Sequence, residues 1–144
     1  AETELAVLKL TRNESLNSAP VIPPNLTQED IFKARKSVLE IHLDESLERY
    51  LVELIIATRQ PQKYSEQLAS WIEFGASPRA TIALDKCARA HAWLMGRDFV
   101  GPDNIHAVFH NVLRHRLLLS YEAEAEGVSS NQVLDSILQL VPVP

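Results

Sequence analysis

Cysteine is nearly absent from this chain of 144 residues: Cys87 stands alone, so no disulfide can form within it. Such usage fits a reducing, cytoplasmic compartment. Glycine is also scarce, at 4 residues, and Ala and Leu are abundant, a balance that favours helix. No apolar run approaches the roughly 20 residues that a membrane span requires. The opening "AETELAVLKL" has acids and no basic region, so it is not expected to be a signal peptide. It has no initiator Met and begins almost inside a helical pattern, so a piece of a longer protein is expected. Positive charge is not in excess either: the net charge is −5, which argues against general nucleic-acid affinity. There is no Gly-rich phosphate loop, no GxxxxGK[ST] and no Gly-x-Ser-x-Gly.

The composition that remains is that of an ordinary globular protein, with 46% apolar and 23% charged residues. The length predicts one domain over residues 1–144. Residues 2–12 read as a short helix with Leu5, Val7 and Leu8 on one face, and 13–26 as a proline-containing loop. Thr27 with Asp30 forms a capping-box-like start for a helix carrying Ile31, Ala34, Val38 and Leu39. Asp44 opens the helix expected to be most buried, with Leu47, Tyr50, Leu51, Leu54, Ile55 and Thr58 on one face, ended by Pro61. "SEQLASWIEF" is ambiguous, and its end reads as extended.

Ser77 at N-cap and Pro78 at the first helical position start a helix to about Met95. Its inward face is expected to hold Ala80, Ala83, Leu84, Cys87, Ala88, His91, Leu94 and Met95, and Gly96 fits the residue that ends it. Pro102 starts another helix, with Ile105, Val108, Phe109, Val112 and Leu113 inward. "RLLLS" suits a short strand and "YEAEAEG" an acidic turn. Ser129 and Gln132 box the start of a last helix carrying Val133, Leu134, Ile137 and Leu138. The expected architecture is an all-α compact bundle of six or seven helices, with room for one minor short strand pair.

Several groupings could carry chemistry. His106 and His110 are spaced i, i+4 with His115 nearby, but "HAVFH" lacks the glutamate of HExxH and no third ligand is evident. Two surface histidines are the better reading, and no metal is expected. Cys87 and His91 are also i, i+4, yet the thiol lies in an alanine-rich stripe where it packs as a small hydrophobe. Glu122, Glu124 and Glu126 read as solvated. From Arg79 to Arg116 there are six cations and three acids, net +3, which leaves −8 for the rest of the chain. At the head of this basic segment stands "GASPRA", with Arg79 in a helix first turn that is already positive. Either solvent screens Arg79, or a carboxylate pairs with it, or it awaits an anionic ligand.

The stretches "GASPRA", "ARAHAWLMGRDFVGPDNI", "VLRHRLLLS" and "EAEGVSS" together resemble the C-terminal helical lid domain of the MoxR family of AAA+ ATPases. "LVELIIATRQP" and "AETELAVLKL" are similar to the segments that precede the lid motif and follow the ATPase core. The resemblance implies a nucleotide-binding core N-terminal to Ala1, carrying the Walker motifs. ATP and Mg would be cofactors of the full-length parent, with none in the isolated segment, which would be inactive alone. It implies that Arg79 is the second sensor, reaching the γ-phosphate across the cleft. Arg114, His115 and Arg116 match a family signature, read as polar anchoring within the lid or contact with a neighbouring subunit. The implied partners are the protein's own core, neighbouring subunits of a ring, often hexameric, and von Willebrand A domain proteins. The implied function is ATP-driven, chaperone-like remodelling or maturation of partner proteins. The rival reading is a non-enzymatic helical module that binds protein or DNA, with "PDNIHAVFHNVLRHR" as a recognition helix.

Overall fold

The computed structural model describes residues 2–16 and 25–144. By the density of contacts the chain divides into two compact units, Ala1–Phe32 and Lys33–Pro144.

In the first unit, helix α1 (Glu2–Leu16) buries none of its residues. Leu5, Val7, Leu8 and Leu10 are all exposed, so the apolar face read from the sequence has no cover within the unit. The helix runs past residue 12, and the rest of the expected 13–26 loop lies largely outside the described residues. Helix α2 (Gln28–Glu40) starts in this unit and ends in the second. Its start is a reciprocal box: the Thr27 N–H donates to Asp30 Oδ2 at 2.9 Å, and the Asp30 N–H donates to Thr27 Oγ1 at 3.1 Å. Hydrogen bonds from the Thr27 side chain and backbone hold the Asp30 carboxyl below the usual carboxylate range.

The second unit holds the core. Helix α3 (Glu45–Arg59) is capped by Asp44, whose Oδ1 accepts the Ser46 N–H at 2.9 Å. It buries Leu47, Tyr50, Leu51, Leu54, Ile55, Ala57 and Thr58. A 3₁₀ turn (Pro61–Lys63) leads into α4 (Glu66–Trp71) and the strand β1 (Ile72–Phe74). Helix α5 (Pro78–Leu94) buries Ala80, Leu84, Ala88 and Ala92, a ridge at strict four-residue spacing. Three of those four are alanines, which lets α6 (Pro102–Leu113) approach closely, and these two helices make the largest contact in the molecule. Helix α6 contributes Ile105, Phe109, Val112 and Leu113. Strand β2 (Leu118–Leu119) pairs antiparallel with β1, Ile72 opposite Leu119 and Phe74 opposite Leu118. Helices α7 (Tyr121–Ala125) and α8 (Ser130–Leu140) complete the unit, with Val133, Leu134 and Ile137 of α8 buried. Ser129 and Gln132 close their box as read.

The all-α class with one small strand pair therefore holds. There are eight α-helices among the described residues, because two short segments are helical. One is α4. The other is α7, where the sequence reads as an acidic turn. Ser120 explains α7: its Oγ accepts the Ala123 N–H at 3.1 Å and donates to Ser70 O, which buries Ala123. Gly127, at φ +72°, ends it.

Leu94 and Met95 correct the expected α5 face, at 73% and 61% exposed. Leu94 lies two residues beyond Ala92, roughly 200° round the helix, so it points away from the ridge. The helix then stops, and Gly96 at φ +69° turns the chain. Cys87 and Val108 are half-buried and flank the core.

Tyr64 ties the 3₁₀ turn to α3 by donating its hydroxyl to Glu53 Oε2 at 2.7 Å. Burial, then the hydrogen bond and charge of Glu53, push its phenol up to about 12. A raised folded-state pKa means that this contribution to stability is complete below the unfolded value of about 10. It is lost as pH rises from there through the folded value. Absorbance titration of the phenolate, compared with Tyr64→Phe for assignment, should place Tyr64 above an ordinary tyrosine, and Glu53→Gln should lower it. In the core, Phe109→Ala should cost about 3–5 kcal/mol by denaturant unfolding, because a fully buried ring leaves a cavity that rigid helices fill poorly.

Candidate functional site

The "GASPRA" segment is fixed from below by α3. Thr58, near the end of that helix, is fully buried. Its hydroxyl donates to Ile55 O at 2.7 Å, the local bond expected of a helical threonine. The same oxygen accepts the Ala76 N–H at 2.9 Å. The buried side chain is thus satisfied, and so is a buried N–H of the loop before α5. Gly75 sits directly on the helix end. A Cβ there would lie 2.1 Å from Thr58 O and 2.7 Å from Arg59 N, so no side chain can be accommodated.

From this seat the chain enters α5. Ser77 is the N-cap residue, as the sequence indicates, but its hydroxyl makes no capping hydrogen bond. Pro78 occupies the first turn without needing a donor, and the Ala80 N–H donates to Ser77 O at 2.8 Å. The first turn contains no acidic residue. Arg79 is exposed. Among the described residues no hydrogen bond or ion pair engages its guanidinium. Arg59, whose backbone N borders the Gly75 contact, is also exposed.

Lys86 is likewise exposed with no ion pair among the described residues, but the other four cations of the basic segment have partners. Arg89 donates its Nε–H to Asp85 at 2.7 Å and also bonds Ile41 O. Arg97 bonds Asp103 at 2.6 Å and thereby holds that carboxyl below its usual range. Arg114 donates to His110 O at 3.2 Å and to Asn111 Oδ1 at 2.7 Å. Arg116 donates to Val112 O at 2.6 Å and contacts His115. Both arginines therefore sit on carbonyls of the last turn of α6, where a cation is favoured.

The histidines diverge. His106 Nε2 meets the Tyr50 hydroxyl at 2.8 Å, and His110 Nε2 meets Asp135 at 2.8 Å. The i, i+4 pair is thus spent on two separate contacts. His91 Nδ1 accepts from the Asn104 amide at 3.0 Å rather than pairing with Cys87, whose thiol is free. Asn104 is fully buried, and its Oδ1 also accepts the Gly101 N–H at 2.8 Å, fixing the start of α6. Glu126 accepts the Trp71 Nε1–H at 3.0 Å, while Glu122 and Glu124 are exposed. No described helix is long and apolar enough to cross a membrane.

The bundle that carries this arginine is similar to known proteins, first of all to the AAA lid domain. Residues 68–137 match that family. The chain is 36% identical to the chaperone MoxR1 of Mycobacterium tuberculosis over 129 residues, 86% of this chain and 34% of that protein. It is 34% identical over 141 residues to YeaC of Bacillus subtilis, a protein described as uncharacterized, covering 98% of this chain and 41% of the relative. A crystal structure of a candidate ATPase from Cytophaga hutchinsonii superposes with a TM-score of 0.87 at 38% identity, over 99% of this chain and 43% of that one. Within the lid class, the chain belongs to the MoxR family of AAA+ ATPases. It spans well under half the length of these relatives. The rival reading of α6 as a DNA-recognition helix finds no support, since its apolar stripe faces the core and its arginines and histidines are engaged.

Gly75→Ala should destabilise the domain by about 1–3 kcal/mol, the cost of overpacking a closed contact. Chemical denaturation checks this, and an unchanged midpoint would mean that the loop moves freely off α3.

Proposed function

We propose that residues 1–144 act as one helical lid that closes over a nucleotide held by the parent's own core. Arg79 is the second sensor, and the observation that carries this is its exposed, unpaired guanidinium on an anchored first turn. An arginine is always charged and grips phosphate through two parallel N–H groups. The N–H groups of a helix start favour an anion at the same place, so the repulsion between Arg79 and its helix is relieved when a phosphate arrives. ATP with Mg fits this donor: hydrolysis removes the γ-phosphate, and the lid's preferred position changes with it.

The parent is then an ATP hydrolase of ring-forming type, hexameric by resemblance, cytoplasmic, and active in chaperone-like remodelling or maturation of partners that include von Willebrand A domain proteins. The uncovered apolar faces of α1 and α2 suit packing against that core. Arg114 and Arg116 bond carbonyls at the end of α6, which supports polar anchoring within the lid; contact with a neighbouring subunit is the alternative role.

In the full-length protein, Arg79→Ala should leave unfolding within about 0.5 kcal/mol of wild type, since it removes only a surface charge. Hydrolysis should fall about ten- to a hundredfold, the loss of one charge-assisted phosphate contact. Arg79→Lys should restore part of it, because an ammonium lacks the planar fork. Steady-state ATPase assays beside thermal melts decide this; normal turnover by Arg79→Ala would refute the sensor role.

A further inference from the structure

We propose that Thr58 is a positioning residue for Arg79, and that its hydroxyl sets where the guanidinium meets phosphate. This rests on the reading of Arg79 as the sensor. Thr58 touches no ligand in this account and acts only through the backbone.

Between the Thr58 hydroxyl and Arg79 lie three residues, Ala76, Ser77 and Pro78. The hydroxyl fixes the first through the Ala76 N–H at 2.9 Å. The proline ring fixes φ of the last. Ser77 offers no side-chain bond to the helix start, so the usual device for aligning a first turn is absent. The alignment falls instead to Thr58, with the Gly75 backbone pressed against the same helix end. A threonine in a fully buried apolar stripe is otherwise without purpose, since its bond to Ile55 O alone adds nothing a valine lacks in packing. Two bonds on one oxygen make it a hinge stop: the α3 terminus and the α5 start cannot shift relative to each other without leaving a buried N–H unpaired.

The test compares Thr58→Val, Thr58→Ser, Arg79→Ala and the Thr58→Val/Arg79→Ala double variant in the full-length protein. The readouts are kcat and KM for ATP, the Kd for ADP, and the melting temperature. Thr58→Val should lower kcat about tenfold, because a displaced phosphate ligand loses its geometry. ADP affinity should stay within about twofold, because only the γ-phosphate is read by Arg79. Thr58→Ser should recover most of the loss, since it keeps the hydroxyl. In the Arg79→Ala background, Thr58→Val should add less than about twofold, the non-additivity of residues acting through one another. If Thr58→Val unfolds, Thr58→Cys, a weaker acceptor of similar size, carries the same comparison. Wild-type turnover by Thr58→Val would overturn the inference. So would equal loss of ADP and ATP affinity, or losses that multiply independently with Arg79→Ala. If Arg79→Ala itself turns over normally, the sensor reading fails first and this inference with it. If only Arg79→Ala loses activity, the inference alone fails.

Discussion

One hydrogen bond organises the end of the second unit that carries Arg79: the buried Thr58 hydroxyl accepts the Ala76 N–H. It couples the end of the most buried helix to the loop that launches the next long one. Gly75 makes that coupling close, since backbone meets backbone where any side chain would collide. The arginine four residues later projects from this seat into solvent. A rigid base under an exposed cation is what phosphate recognition requires, because misplacement of a ligating group by about 1 Å can cost about a hundredfold in rate.

The remainder of the second unit serves that base. The four-residue ridge on α5 is built mostly of alanine, so α5 and α6 pack closely. Asn104 stitches the two helices near their other end by meeting His91 and the Gly101 N–H. Arg89 joins α5 to the link between α2 and α3 through Ile41 O, and Asp85, one turn back on α5, holds its guanidinium. The charges of this basic segment are therefore mostly spent on internal contacts. Arg79, like Lys86 and Arg59, is left open at its head group, and it differs from them in standing on the first turn after the Thr58–Ala76 bond. Exposed ion pairs such as Arg49 with Glu45 add little to stability beside the packed ridge.

Much of this is legible in the sequence because it is local. Ser129 with Gln132, Thr27 with Asp30, Pro78 and Pro102 mark helix starts by chemistry that acts over three residues. The stripes of α3, α6 and α8 follow from a 3.6-residue period. What escaped depended on partners distant in sequence. Leu94 lies off the ridge that ends at Ala92, and it is left exposed on the far side of the last turn of α5. The acidic 121–125 segment is helical because Ser120 bonds Ser70 fifty residues away as well as its own helix. Thr58 read as one more residue of an apolar face, and its only sequence signal is a hydroxyl where a methyl would pack equally well. The i, i+4 histidines carried a local hint of metal binding, which the structure resolves through Tyr50 and Asp135 on other helices.

The central claim is that Arg79 exists to meet the terminal phosphate of a nucleotide. A structure of the full-length protein with a non-hydrolysable ATP analogue and Mg tests it most directly. The account predicts the Arg79 guanidinium at charge-assisted hydrogen-bond distance, about 2.7–2.9 Å, from γ-phosphate oxygens, with Ala76 still bonded to Thr58. An Arg79 paired to a carboxylate, or turned to solvent while another cation holds the γ-phosphate, would contradict it.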